Sequence, residues 1–329
     1  MAAVERIPRF LRYLAPNLIT LSSMIFGLVS LYSSSRGPAG APLAAWMIIY
    51  AVLTDRLDGL TARAMKATSE LGMQLDSFAD FLNFGIAPAF LVLQYVGHRV
   101  PYYQEGTGHF LLFAACGAYM LCAVFRLARY NVLSDDQVPT KIFFGFPTTL
   151  TGGLVAIWFL LLLKYDPDPS TPVFGGSKLF GDSLHTPFGV WKYLPLALVI
   201  GGYLMASRLP MPKVGMTKNK AISVILFVLL TTGYICGFAM IYPEICFWMP
   251  TVWSVMFLVW GQASAKARAM YPPPLFPKQA EGKKLERPQE DLEDIVLDEA
   301  RQSSPALDPG GAAAPAAAAA APKPAPSGK

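Results

Sequence analysis

The chain has 329 residues, of which 53 % are hydrophobic and only 15 % charged, against roughly a quarter charged in an ordinary soluble protein. Mean hydropathy is +0.40, and a polar, low-complexity C-terminal stretch pulls even that value down. A soluble globular protein is excluded, and an all-α polytopic membrane protein is expected in its place. The net charge of +5 does not by itself point to nucleic acid, and no nucleic-acid partner is expected.

Met1–Leu14 carries Arg6, Arg9 and Arg12 along an amphipathic stretch. It reads as a helix on the membrane surface (segment 1–15) rather than a cleaved signal peptide. A bilayer core needs about twenty helical residues at 1.5 Å each. Apolar runs of that scale occur near 16–34, 41–58, 81–97, 110–128, 142–164, 189–206, 221–241 and 245–262. About eight transmembrane helices are therefore expected within a membrane domain of residues 16–264. With a cytoplasmic N-terminus, thirteen Lys and Arg fall in inside segments and five in outside segments or at their helix ends. The positive-inside rule then predicts cytoplasmic N- and C-termini. Cys116, Cys122, Cys236 and Cys246 all lie within apolar runs with no CxxC pair, the pattern of small buried residues. Beyond residue 264 come a PPP run, the acidic EDLEDIVLDEA and a Pro/Ala tail. Residues 265–329 are expected to form a disordered cytoplasmic extension.

The costly feature is the segment DRLDGLTARAMKATSELGMQLDSFAD, residues 55–80. Asp55 and Asp58 are three apart, and Asp76 and Asp80 four apart, so each pair shares one helix face. A turn near Lys66–Glu70 would bring the pairs together at the cytoplasmic ends of the second and third spans. Four converging carboxylates repel one another and resist ionisation, so a cation is expected among them. Oxygen ligands suit Mg²⁺ or Mn²⁺, and four carboxylates are enough for two ions. Gly59 and Gly72 would let a ligand or a helix come close, and Arg63 is placed to hold an anion. The competing readings are ordinary loop charges paired with Arg56, Arg63 and Lys66, and a cation transporter. A transporter site is expected nearer the bilayer midplane.

Asp55-x-x-Asp58-Gly59-x-x-Ala62-Arg63, followed by Gly72-x-x-x-Asp76-x-x-x-Asp80, resembles the signature of the CDP-alcohol phosphotransferase (class I phosphatidyltransferase) family. The resemblance implies a core of six membrane helices, a site open to the cytoplasm, a CDP-linked substrate, two divalent metals and release of CMP. It implies Asp55, Asp58 and Asp76 as metal ligands, Asp80 as ligand and general base, and Gly59, Ala62 and Arg63 lining the nucleotide and diphosphate site. It also suggests a homodimer. Gly72, Asn17 and Thr20 are further candidates for that site, the last two being equally readable as helix–helix contacts.

Other stretches resemble the membrane-embedded phosphatidylserine synthase branch. They are Asp76–Pro88, Arg126-x-x-Arg129-Tyr130-Asn131, Phe143-x-Gly145-x-Pro147, Ser207–Pro210 and Pro16-Asn17-x-x-Thr20. Two positions depart from that branch: Asn83 stands where Ser is usual, and Ser23 where Asn is common. The branch implies CDP-diacylglycerol as donor, L-serine as acceptor and a bacterial inner membrane as location. Serine carries a carboxylate that needs a cation, and Arg126 and Arg129, three apart, are candidates, with Lys141 and Arg208 behind them. Each is equally placed to anchor lipid headgroups. Glycerol 3-phosphate, inositol, inositol phosphate and choline remain alternative acceptors.

Overall fold

The computed structural model describes residues 9–65, 69–133, 142–167, 176–212 and 220–263. The surface segment before Arg9, Lys141 and the extension after residue 263 lie outside the described residues, as do the side chains of Asp58, Ala62 and Arg63. A helix stands at each of the eight apolar runs. They are α1 (Arg9–Ser35), α2 (Ala41–Met65), a continuous helix over Glu70–Arg99, α5 (Gly106–Leu133), α6 (Thr148–Lys164), α7 (Leu194–Ala206), α8 (Lys220–Phe238) and α9 (Pro243–Ala263). The continuous helix consists of α3 (Glu70–Asp80), a π-helical turn (Phe81–Ile86) and α4 (Ala87–Arg99).

Five helical stretches are long and apolar enough to cross a bilayer by length and composition: Asn17–Ser35, Glu70–Arg99, Gly106–Asn131, Phe188–Ala206 and Pro243–Ala263. Thr148–Lys164 and Ser223–Phe238 are shorter apolar helices. Helix α2 is long enough, but Asp55, Arg56, Asp58 and Arg63 fall in its second half. The protein is therefore an all-α polytopic membrane protein; the other regular structure among the described residues is three short 3₁₀-helices (Gly37–Ala39, Pro101–Tyr103 and Phe188–Tyr193) and two three-residue strands.

Because lipid tails are as apolar as leucine, helix association here depends on close packing rather than on removing surface from water. Helix α2 is buried through small and large residues alike, Trp46, Ile48 and Ile49 included. Ala41, Ala44, Ala45 and Ala51 of α2 are buried, whereas Leu18, Leu21, Ile25, Leu28 and Tyr32 of α1 form an exposed stripe at helical spacing. Helix α1 packs along α2 and along the Glu70–Arg99 helix, and its Ser30 hydroxyl donates to the Ala44 carbonyl at 2.9 Å. Gly202 of α7 lets that helix approach α5, since a Cβ there would stand 3.3 Å from Tyr119 Cα. At the end away from the aspartates, Tyr95, Phe159 and Trp191 meet edge-to-face or tilted with centroids 4.7–5.6 Å apart. The same end holds two ion pairs, Arg99–Asp166 at 3.0 Å and Lys164–Glu244 at 2.8 Å.

The fifth span starts later than the apolar run suggests. Residues Ile142–Phe144 form a strand (β1) paired antiparallel with Pro210–Pro212 (β2), and α6 begins only at Thr148. Gly145 has φ +80°, a conformation open to glycine. Pro147, extended with ψ 138°, then starts the helix. This ribbon ties the entry of α6 to the exit of α7.

Candidate active site

The site forms where the second half of α2 meets α3. Ser69, extended at φ −138° and ψ 155°, caps α3 by accepting the Gly72 N–H at 3.0 Å, which satisfies a donor left open at the helix start. Asp76 and Asp80, four positions apart, then share one face. Carboxylate oxygens of Asp55, Asp76 and Asp80 lie within 4.8 Å of one another. Asp76 is exposed and the other two are half-buried. Asp55 and Asp80 come within hydrogen-bonding range of each other. Two carboxylates meet that closely only with a proton or a cation between them. Thr149 Oγ1, in the first turn of α6, lies 3.5 Å from Asp55 Oδ2.

Asp80 Oδ1 is fully buried with no hydrogen-bond partner among the described residues. A buried carboxylate oxygen without a donor is costly, and it is the arrangement a metal ligand requires. Three carboxylates with oxygens in one small volume fit a hard divalent cation. Asp58 lies three residues after Asp55 in α2, with its side chain outside the described residues.

Arg126 of α5 is close enough to interact electrostatically with both Asp80 and Asp55, and Arg56 of α2 interacts with Asp55 as well. Arg126 Nη1 donates to Thr148 Oγ1 at 2.7 Å, and its guanidinium lies 5.6 Å from the centre of the Tyr130 ring. Arg129, one turn on, faces elsewhere. It donates to the carbonyls of Ala206, Phe144, Met205 and Ser207 at 2.9–3.4 Å. Arg129 thus joins the end of α7 to β1, where the last carbonyls of a helix lack intrahelical partners. Arg208 is exposed and near Arg129.

Asn17 and Gly72 do meet: a Cβ on Gly72 would stand 3.1 Å from Asn17 Oδ1. Thr20 is buried in α1, its carbonyl accepting from Ser23 Oγ at 2.7 Å. A Cβ on Gly59 would meet nothing within 4 Å among the described residues, so there is room beside α2 at this position. Three contributors escaped the sequence reading: Thr148, Thr149 and Ser77. Ser77 accepts from Asn131 Nδ2 at 2.9 Å and fastens the end of α5 beside Asp76. The Pro147-Thr148-Thr149 helix start was the available signal for the two threonines, because N-terminal turns expose their side chains to whatever faces them.

The family model for CDP-alcohol phosphatidyltransferase matches residues 13–180, just over half of the chain. The chain belongs to the CDP-alcohol phosphatidyltransferase family. The matched stretch runs from α1 through α6 and contains all four aspartates together with Arg126 and Arg129. Similar proteins include a CDP-diacylglycerol–serine O-phosphatidyltransferase of Helicobacter pylori, 35 % identical over 153 residues that make up 46 % of this chain and 60 % of the relative. A protein of the same name from Mycobacterium bovis is 29 % identical over 265 residues, covering 78 % of this chain and 81 % of the relative. Another from Bacillus subtilis is 30 % identical over 152 residues, 46 % and 77 % of the two chains. The chain thus spans about three-fifths of the length of its Helicobacter relative.

Proposed function

We propose that the chain transfers the phosphatidyl group of CDP-diacylglycerol to L-serine, releasing CMP, at the cytoplasmic face of a bacterial inner membrane. The observation that carries the reaction is the buried, donor-less Asp80 Oδ1 inside the Asp55–Asp76–Asp80 cluster. Asp55, Asp58, Asp76 and Asp80 would hold two divalent cations, Mg²⁺ or Mn²⁺, whose charge neutralises the diphosphate and the departing CMP. Asp80 takes the proton of the serine hydroxyl. That oxygen forms a bond to the lipid-linked phosphorus as the phosphorus–oxygen bond to CMP breaks, and CMP leaves with the electron pair. Gly59, Ala62, Arg63, Gly72, Asn17 and Thr20 would form the nucleotide and diphosphate pocket, with the room beside Gly59 as entry space. The working unit on this reading is a homodimer.

The serine assignment is supported by the names of the relatives and by Arg126, which faces both Asp55 and Asp80. Arg126 is placed to hold the serine carboxylate or a phosphate oxygen, whereas Arg129 is engaged by main-chain carbonyls. Lys141 and Arg208 stay as secondary candidates. The test is CMP release by purified protein with Mn²⁺ or Mg²⁺, CDP-diacylglycerol and each alcohol in turn. Release with serine is expected. Release only with glycerol 3-phosphate, inositol, inositol phosphate or choline overturns the acceptor and leaves the metal site standing.

A further inference from the structure

Immediately after Asp80 the helix widens into the π-helical turn Phe81–Ile86, in which the Ala87 N–H reaches back five residues to the Leu82 carbonyl. The sequence contains the cause. Pro88 has no N–H, and its ring excludes the carbonyl four residues earlier, that of Phe84. The freed Phe84 carbonyl accepts the Tyr119 hydroxyl at 2.9 Å. One extra residue in a turn shifts the phase of the helix by about 100°. The wide turn therefore decides where Asp80 points relative to the buried face of α4.

Asn83 stands in the middle of this turn and is 1 % exposed. Its Nδ2 donates to Ser23 Oγ of α1 at 3.3 Å. The Ser23 proton goes to the Thr20 carbonyl, so the hydroxyl can only accept, and the orientation of the carboxamide follows. Asn83 Oδ1 then lies against Gly27, 2.2 Å from where a Cβ would be, and has no hydrogen-bond partner among the described residues. A plain packing contact would not need a buried amide with one end unsatisfied.

We propose that Ser23 and Asn83 are positioning residues: their hydrogen bond, with the Asn83 carboxamide seated on Gly27, locks the wide turn and so aims the Asp80 carboxylate. They touch neither substrate nor cation and act through Asp80. The proposal rests on Asp80 being a metal ligand and base, so its test reads cation binding separately from turnover. Ser23→Ala, Asn83→Ala and the double variant are compared with wild type for Mn²⁺ affinity by calorimetry and for kcat and KM by CMP release. Leu198→Ala, at a buried site in α7, serves as a destabilised control.

Each single variant should weaken Mn²⁺ binding and lower kcat roughly tenfold to a hundredfold, as expected of a small misplacement of a reacting group. KM for the alcohol should stay within about threefold, because neither residue meets it. The double variant should be no worse than Asn83→Ala, since both changes remove one bond. Ser23→Ala with wild-type Mn²⁺ affinity and kcat overturns the proposal. Additive losses in the double variant, or an equal kcat loss in Leu198→Ala, overturn it as well. A wild-type protein that releases no CMP with any alcohol would defeat the proposed reaction, while the Mn²⁺ comparison would still decide the role of the pair.

Discussion

Replacing Glu244 should destabilise the protein severely without touching its chemistry. Lys164 Nζ lies 2.8 Å and 2.9 Å from the two Glu244 oxygens and donates to the Ser177 carbonyl at 3.0 Å. Glu244 also accepts from the Tyr165 hydroxyl at 2.8 Å and the Leu179 N–H at 3.3 Å. The two charged side chains are only 4 % and 1 % exposed. Glu244→Ala removes the counter-ion of a buried ammonium and the acceptor of two further donors, a loss of about 3–5 kcal/mol. Replacing both partners, Lys164→Met with Glu244→Leu, removes the uncompensated charge but still leaves the Tyr165 hydroxyl and the Leu179 N–H without Glu244, so it should recover only part of the loss. Lys164 stands fifteen residues from Thr149, about 22 Å along α6 at 1.5 Å per residue. CMP release below the unfolding transition should therefore be unchanged. Unfolding by sodium dodecyl sulfate from mixed micelles, followed by circular dichroism, measures the difference. A Glu244→Ala loss below about 1 kcal/mol would refute the reasoning, and so would a double variant as weak as the single one.

Four further outcomes follow from the site and its supports. Asp80→Asn keeps the shape but cannot take a proton, and should cut CMP release by roughly 10²- to 10⁴-fold while nucleotide binding persists; a near-normal rate would remove the base assignment. Arg126→Lys loses the planar fork and should raise KM for serine roughly tenfold with a smaller change in kcat, whereas an unchanged KM would take Arg126 out of the acceptor site. Gly145→Ala would place a Cβ 2.6 Å and 2.7 Å from the Met205 and Ser207 carbonyls at a φ of +80°, costing about 2–4 kcal/mol; unfolding within error of wild type would show that the ribbon yields freely. Deleting the chain from Glu281 onward should leave CMP release unchanged, and lost activity would give the extension a role.

The acidic site was legible because charge is scarce in the membrane region. Asp55, Asp76 and Asp80 stand out there, and helical spacing alone puts Asp76 and Asp80 on one face. The partition between Arg126 and Arg129 was not legible. Spacing of three makes them neighbours on α5, but the fold places the aspartates beside one and the exit of α7 beside the other. That distinction depends on which helices flank α5, information that no local pattern contains. The start of α6 was misplaced for a related reason: apolar β and α segments look alike in a short run, and Gly145-x-Pro147 was the punctuation that separated them.

The π-turn had a readable cause in Pro88, yet a proline in an apolar run predicts only that the helix must change, not how. What decides between a kink and a wide turn is whether neighbours can satisfy the freed groups. Tyr119 accepts that task for Phe84, and Gly152 makes room, since a Cβ there would come within 2.7–3.0 Å of Phe84 atoms. The two departures from the phosphatidylserine synthase pattern, Ser23 and Asn83, belong to the same construction. Read one at a time they weaken the likeness; in three dimensions they are hydrogen-bonded to each other. A branch member with Asn at the first position and Ser at the second would have the same two functional groups facing across the α1–π-turn contact, with amide and hydroxyl exchanged. In this chain the two departures thus meet at one contact, the hydrogen bond between α1 and the π-turn that follows Asp80.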